Sequence, residues 1–382
     1  MTENKYQEKA NISDIGIIAL ESIAELGSKV NDYIVSWREK EQYYATNKNP
    51  SFMIRHTTAR FGTGEGKCIL HESVRGKDLY ILVDICNYSI TYPLYGYENH
   101  MTPDEHYQDL KRIILAVSGK ARRITVIMPY LYEGRQHRKN SRESLDCAYA
   151  LHELTQMGVD NILTFDTHDP RVQNAIPLKG FETIKPTYQF VKALINNVTN
   201  IKIDSNNLMV ISPDEGGMDR CIYFSTVLGI DLGMFYKRRD YTKIVHGRNP
   251  IIAHEFLGTD INGKDVLIID DMISSGESTL DIARELKKRN AGKIFVLASF
   301  GLFTNGMNLF DEAYNEGIIY RVLTTNLVYQ NAELLSKPYY ISVDMSKYIA
   351  LLIDSLNQDS SISDILSPTD RIRNFLNKFN KH

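Results

Sequence analysis

The chain is poor in the residues that would mark several function classes. Its 382 residues contain four cysteines, Cys68, Cys86, Cys147 and Cys221, and no CxxC pair. That spacing offers neither a zinc-finger ligand set nor a disulfide framework, and a reducing cytoplasm is the expected setting. No apolar run approaches the roughly 18 residues of a membrane helix. The opening "MTENKYQEKANISD" lacks the apolar centre of a signal peptide. A net charge of -3 gives no general attraction to nucleic acid or to an anionic membrane. There is a single tryptophan, no low-complexity tract and no short-period repeat.

Two nucleotide motifs are also missing. "FGTGEGKC" resembles a P-loop, but Phe61 stands where that pattern needs its first glycine, and Cys68 where it needs Ser or Thr. Its glycines read as a turn. No GxGxxG follows a strand, which argues against a dinucleotide cofactor.

What is present is a globular composition, 43% hydrophobic and 24% charged, long enough for two domains. Short apolar runs alternate with amphipathic ones. Strands are expected at "IGIIAL" (15–20), "DLYILVD" (78–84), "RITVIMPY" (123–130) and "NILTFDTH" (161–168). Others are expected at "LMVISPDE" (208–215), "DLGMFYKRR" (231–239), "DVLIIDD" (265–271) and "IFVLASF" (294–300). Helices are expected over "ESLDCAYALHELTQMG", with Gly158 as stop, and "STLDIARELKKRNAG", followed by Gly292. Runs of β-branched residues separated by helices imply strands covered on both faces, hence an α/β fold with a parallel or mixed sheet. The polar "REKEQYYATNKNPS" and "YGYENHMTPDEH" read as exposed helix ends or insertions.

In such folds ligands sit at the carboxyl ends of the strands. Those ends carry Asp166 and His168, "SPDEGG" (212–217), "KRR" (237–239) and the stretch from Asp270 to Gly276. In "VLIIDDMISSGES" a buried strand ends in two carboxylates, and a small-residue loop then leads into a helix. Backbone N–H groups of such a loop form an anion cradle helped by the helix dipole. Ser274, Ser275 and Ser278 add hydroxyls, Gly276 allows a phosphate close to the backbone, and Asp270 and Asp271 can accept from sugar hydroxyls.

This combination resembles the 5-phosphoribosyl-1-pyrophosphate (PRPP) loop of type I phosphoribosyltransferase folds. "RFGTGEG", "ESVRGKDLYIL", "RITVIMPYLYEGRQHRK", "MGVDNILTFDTH", "SPDEGG", "YKRR" and "DDMISSGES" follow the order and approximate spacing seen in ribose-phosphate pyrophosphokinase (PRPP synthetase). "SLNQDSSISDIL" resembles that family's C-terminal element, so the likeness runs from about residue 15 to about residue 366. It implies two phosphoribosyltransferase-like domains, each a mainly parallel sheet flanked by helices. The first would span 1–186, on the ATP side, joined by part of the segment about 340–358. The second, on the ribose 5-phosphate side, would span 187–339, with 359–382 as a tail.

The resemblance further implies Mg²⁺-dependent transfer of the β,γ-pyrophosphoryl group of ATP to the 1-hydroxyl of ribose 5-phosphate, leaving AMP. It assigns Lys237 and Arg239, with His168, to catalysis, and His168 and Asp214 to the metal or its waters. Phe61, Glu65, Arg135 and Gln136 would meet ATP; Asp270, Asp271, Ser274, Ser275, Gly276 and Ser278 would meet ribose 5-phosphate. Ser73 and Arg75, with Ser361 and Ser363, match a phosphate-bearing allosteric site, and a homo-oligomer built from dimers is implied. The chain departs from the family at Thr63 and His137, each replacing an aspartate, and at Glu277, replacing a glycine. It also departs in the loop after Arg239 and in the stretch after Asp84. A weakly active or inactive regulatory relative therefore stays open, as does a transferase that consumes PRPP.

Overall fold

A computed structural model of the chain describes residues 14–40, 51–239 and 251–379. They form two compact units. One comprises Met1–Lys185, Leu327–Tyr329 and Met345–Ser367; the other comprises Pro186–Asn326, Gln330–Asp344 and Pro368–His382.

In the first unit the chain runs through β1 (Ile15–Ala19), α1 (Ala24–Lys40), β2 (His56–Arg60), β3 (Gly66–Leu70) and β4 (Asp78–Leu82). It continues through β5 (Thr91–Leu94), β6 (Tyr97–His100), α2 (Pro103–Val117), β7 (Arg123–Ile127), α3 (Asp146–Gln156), β8 (Asn161–Phe165) and β9 (Gly180–Ile184). A parallel sheet is ordered β1-β4-β7-β8-β9, while β2-β3 and β5-β6 are separate antiparallel hairpins. Every residue of β1 and β4 is buried, as mainly apolar strands covered on both faces are, and the one charged residue among them, Asp78, is paired. The helix α2 begins at a capping box, Thr102 with Glu105, and has Pro103 in its first turn. "YGYENHMTPDEH" thus forms one strand of a hairpin and this cap rather than a loose insertion. "REKEQYYATNKNPS" closes α1 and then lies largely outside the described residues.

The second unit holds α4 (Thr187–Asn197), β10 (Leu208–Ser212), α5 (Met218–Leu228), β11 (Asp231–Arg239), β12 (Ile251–Leu257) and β13 (Asp265–Ile273). Then come α6 (Glu277–Lys288), β14 (Ile294–Gly301), α7 (Asn308–Asn315), β15 (Arg321–Thr325), α8 (Ala332–Ser336) and β16 (Tyr340–Val343). The sheet is ordered β12-β11-β10-β13-β14-β15-β16, parallel except for the β11-β12 pair at one edge. One helix layer packs Leu280, Ala283 and Leu286 of α6 and Phe310 of α7 on strand residues such as Val266 and Ile268.

The chain next adds α9 (Ser346–Asn357) and α10 (Ser363–Leu366) to the first unit and α11 (Thr369–Phe379) to the second. Residues 359–382 are therefore divided between the units, and α11 buries Ile372 and Leu376. In the first unit α9 packs on α1, and Arg38 pairs with Asp354 at 2.6 Å. Asn357 Nδ2 donates to Asp78 Oδ2 at 3.1 Å, and the same carboxylate accepts from Arg123 Nε (2.8 Å) and from Tyr80 OH (2.7 Å).

Candidate functional site

The predicted residues fall into two sets, one in each unit. In the second unit β10 lies between β11 and β13, so three of the marked strand ends are neighbours on one sheet edge. Strand β13 buries residues 266–269 and continues two residues past its expected end, to Ile273. Asp270 and Asp271 follow one another on the strand, and their carboxyl groups lie close enough to interact. Asp270 Oδ1 accepts from the Asp271 N–H at 2.8 Å, and Asp271 Oδ1 from the Met272 N–H at 2.9 Å. Burial, together with the Asp271 charge, pushes the Asp270 carboxyl well above the usual carboxylate range, and Arg220 on α5 offsets this in part. A cation or hydrogen-bond donor brought to this pair would favour its ionised form.

Beyond β13, Ser274 and Ser275 are half-buried and Gly276 caps α6 at φ 87°, with no side chain capping the helix. Gly276, as N-cap, has no side chain to offer the first turn of α6, whose dipole favours a negative charge there. Glu277 and Ser278 are exposed. A Cβ at Gly276 would stand 2.2 Å from Phe310 Cε2. Gly276 is thus required by its left-handed backbone and by a core ring, whatever ligand its backbone also admits.

At the end of β10, Ser212 Oγ donates to the Asp214 carbonyl at 2.7 Å. The Gly217 N–H donates to Asp214 Oδ1 at 3.2 Å, just ahead of α5. Lys237 and Arg239 stand at the end of β11, in register with His254 and Ile251 of β12.

In the first unit His168 is exposed just past β8, behind the buried Asp166, whose φ is 39°. Its ring lies 5.3 Å from that of His137, and His137 Nε2 lies 3.5 Å from Asp169 Oδ2. Asp169 also accepts from the Arg171 N–H at 2.9 Å and from its guanidinium, which holds the carboxyl down at about 2. Burial keeps the His137 imidazole below the usual histidine range. Arg135 and Gln136 are exposed on the preceding loop, where the Gln136 N–H donates to the Glu133 carbonyl at 2.8 Å.

The glycine-rich turn joins β2 and β3, closed by the Phe61 N–H to the Glu65 carbonyl at 2.8 Å. Phe61 is 54% exposed. Thr63, the departure from the resembled motif, donates its hydroxyl to Glu65 Oε2 at 3.0 Å. Ser73 and Arg75 are exposed before β4, Ser73 Oγ accepting from the Arg75 N–H; Ser361 and Ser363 are exposed at the start of α10, in the same unit.

Sequence reasoning passed over Asp84, Asp169 and Arg220. Asp84 stands two residues past β4; it is buried, accepts from the Cys86 and Tyr329 N–H groups at 2.8 and 2.7 Å, and is pushed by burial up to about 7. Asp169 carried a signal in the Asp-Pro step that opens a short helical turn. Among the described residues no group of three or more His, Cys, Asp or Glu gathers as a metal cage, and no helix is long and apolar enough to cross a membrane. All four cysteines are free thiols.

Comparison with known proteins assigns residues 15–158 to the N-terminal domain of ribose phosphate pyrophosphokinase. Residues 180–301 match the phosphoribosyl transferase domain, and 243–367 the phosphoribosyl synthetase-associated domain. The chain is 28% identical over 324 residues to a ribose-phosphate pyrophosphokinase of Mycoplasma pneumoniae, covering 83% of this chain and 89% of that one. It is 30% identical over 252 residues to the Agrobacterium fabrum enzyme of that name, covering 65% of this chain and 73% of that one. The fold matches phosphoribosylpyrophosphate synthetase from Mycobacterium smegmatis with TM-score 0.72 and 19% identity, over 91% of this chain and all of that one. With two α/β sheets and a carboxylate-lined strand end opening an uncapped helix, the chain belongs to the ribose-phosphate pyrophosphokinase family of enzymes.

Proposed function

We propose that the protein transfers the β,γ-pyrophosphoryl group of ATP to the 1-hydroxyl of ribose 5-phosphate, giving PRPP and AMP. One observation carries this reading: an acid pair at the end of β13 followed directly by an uncapped helix N-terminus. The acids suit ribose hydroxyls and the helix start suits the 5-phosphate. On this reading the second unit takes the sugar phosphate, with Ser274, Ser275 and Ser278 as added donors. The first unit takes ATP, with Phe61 against adenine, Glu65 accepting from its amino group, and Arg135 and Gln136 on the phosphates.

The reaction forms a bond between the sugar O1 and the β-phosphorus as the bond to the AMP oxygen breaks. Negative charge grows on the transferred group and on AMP, so positioned cations matter more than covalent chemistry. Lys237 and Arg239 fill that role at the end of β11. Mg²⁺ suits oxygen donors such as the Asp214 carboxylate, since this ion is commonly held by few protein groups plus phosphates and waters. It would neutralise phosphate charge; His168 in the first unit and Asp214 in the second are each proposed to hold such an ion or its waters.

The test is release of AMP from ATP, which should require both ribose 5-phosphate and Mg²⁺. Nucleotide binding without turnover would favour a regulatory relative, and PRPP consumption with a nucleobase would favour a transferase. Assembly is proposed as a homo-oligomer built from dimers, which sedimentation of a fully active monomer would rule out. Ser73, Arg75, Ser361 and Ser363 are proposed to form an altered effector site. ADP added at saturating ATP should therefore inhibit only weakly, and strong inhibition abolished by Arg75→Ala would show an intact site.

A further inference from the structure

The connection from β7 to α3, residues 128–145, contains neither helix nor strand. Irregular connections of this length are uncommon inside compact domains and usually serve a function. This one exposes Arg135, Arg138, Lys139 and Arg142. Such a set of cations repels itself, and something must hold its backbone if the guanidinium groups are to meet a polyphosphate in one place.

Its early part is folded on itself: the Gly134 N–H donates to the Leu131 carbonyl and the Gln136 N–H to that of Glu133. The next residue, His137, turns inward. Its Nε2 faces Asp169 Oδ2 at 3.5 Å, and its ring lies beside that of His168. Nε2 is the ring nitrogen that faces the carboxylate, so the Nε2–H form is the one that donates to Asp169. Asp169 itself is fixed in orientation, because both its oxygens accept from Arg171 and it caps the turn Pro170–Ala175.

We propose that Asp169 is a positioning residue: through His137 it anchors the loop bearing Arg135 and Gln136 to the strand end that bears His168. An aspartate at position 137, as in the resembled motif, would set two carboxylates against each other here. Histidine at 137 and Asp169 are thus complementary partners. The consequence for ATP rests on the function proposed above; the anchor itself does not.

The experiment uses the full-length protein and two readouts: the rate of tryptic cleavage within residues 135–142, and KM for ATP in AMP release. Asp169→Asn keeps an oxygen for the Arg171 N–H but removes the charge facing His137. Cleavage should quicken about 5-fold or more and KM for ATP should rise about 5- to 10-fold, with kcat and KM for ribose 5-phosphate within about 2-fold. His137→Asp should be worse, by bringing like charges together. The double variant His137→Asp/Asp169→Asn restores a donor facing an acceptor and should return both readouts to within about 3-fold of the parent. Arg171→Ala, which removes the guanidinium that holds Asp169 Oδ2, should shift both readouts in the same direction but less than Asp169→Asn does. The anchor is overturned if Asp169→Asn leaves cleavage unchanged, if the double variant is no better than the singles, or if Arg171→Ala alone reproduces the full loss. An active parent whose KM for ATP ignores a loosened loop also overturns it. A parent that releases no AMP, yet whose cleavage follows the predicted order, would uphold the anchor and refute the proposed reaction instead.

Discussion

Replacing Gly276 by alanine tests which force shapes the loop after β13. The residue sits at φ 87°, a conformation that costs an L-residue about 1–2 kcal/mol. The added methyl would meet Phe310 Cε2 at 2.2 Å and Cζ at 2.5 Å. Phe310 is fully buried and packs edge-on against Phe303 at 5.2 Å, so its ring cannot simply swing away. Overpacking of this kind costs about 1–3 kcal/mol. Together the two effects predict a loss of about 2–5 kcal/mol. A domain of 150–250 residues loses about 2–4 °C per kcal/mol, so Tm should fall by about 4–20 °C in a calorimetric or circular-dichroism melt. The double variant Gly276→Ala/Phe310→Leu relieves the clash but not the backbone, and should recover part of the loss. If Gly276→Ala melts like the parent while its affinity for ribose 5-phosphate collapses, the glycine serves the ligand rather than the core, and the reasoning fails.

Further expectations concern chemistry and pH. Asp271→Asn keeps the shape but weakens a charged acceptor worth about 1.5–3 kcal/mol, so KM for ribose 5-phosphate should rise about 10- to 100-fold; saturation at parental concentrations would refute the sugar-binding role. Lys237→Ala and Arg239→Ala should lower kcat about 10²- to 10³-fold with little change in KM for ATP; equal losses in both would make them ground-state anchors. Asp84, held at about 7 against an ordinary value of 3.8, keeps a proton in the folded state that the unfolded chain has released. The stability this confers is full below about pH 4 and is lost as pH rises through about 7, at up to about 1.4 kcal/mol per pH unit. Melts at pH 5 and pH 8 should therefore differ more for the parent than for Asp84→Asn, and parallel shifts would disprove the linkage.

The interior of the fold was legible because the central strands are unbroken apolar runs; "DVLIIDD" and "LMVISPDE" could hardly lie anywhere but inside a sheet. The hairpins were not. β2 is "HTTAR" and β5 is "TYPL", polar or proline-containing segments whose pairing depends on turns and on neighbours rather than on a period. The short edge strand β16 (Tyr340–Val343) was missed for want of length. At the candidate site, acids and glycines at strand ends were visible as residue types, but their directions were not. Nothing in "SSGES" says that Gly276 faces Phe310, 34 positions away in the sequence, and nothing in "RQH" says that His137 meets Asp169. Such contacts belong to the three-dimensional crossing of elements, which local spacing does not encode.

Helix α9 supplies a partner for α1 from more than 300 residues downstream, closing Arg38 onto Asp354 and Asn357 onto Asp78. On the ribosome this imposes a wait. At about 5–20 residues per second, the segment that completes the first unit emerges on the order of ten seconds or more after β9, and in the interval the side of α1 turned away from β1 lacks its partner. A nonsense mutation before α9 would therefore leave α1 without this partner, whereas one between α10 and α11 would strip α11 from the second unit alone. Production of that unit alone would need residues 345–367 supplied in trans or joined by a linker, and chaperone demand during synthesis should fall on the first half of the chain.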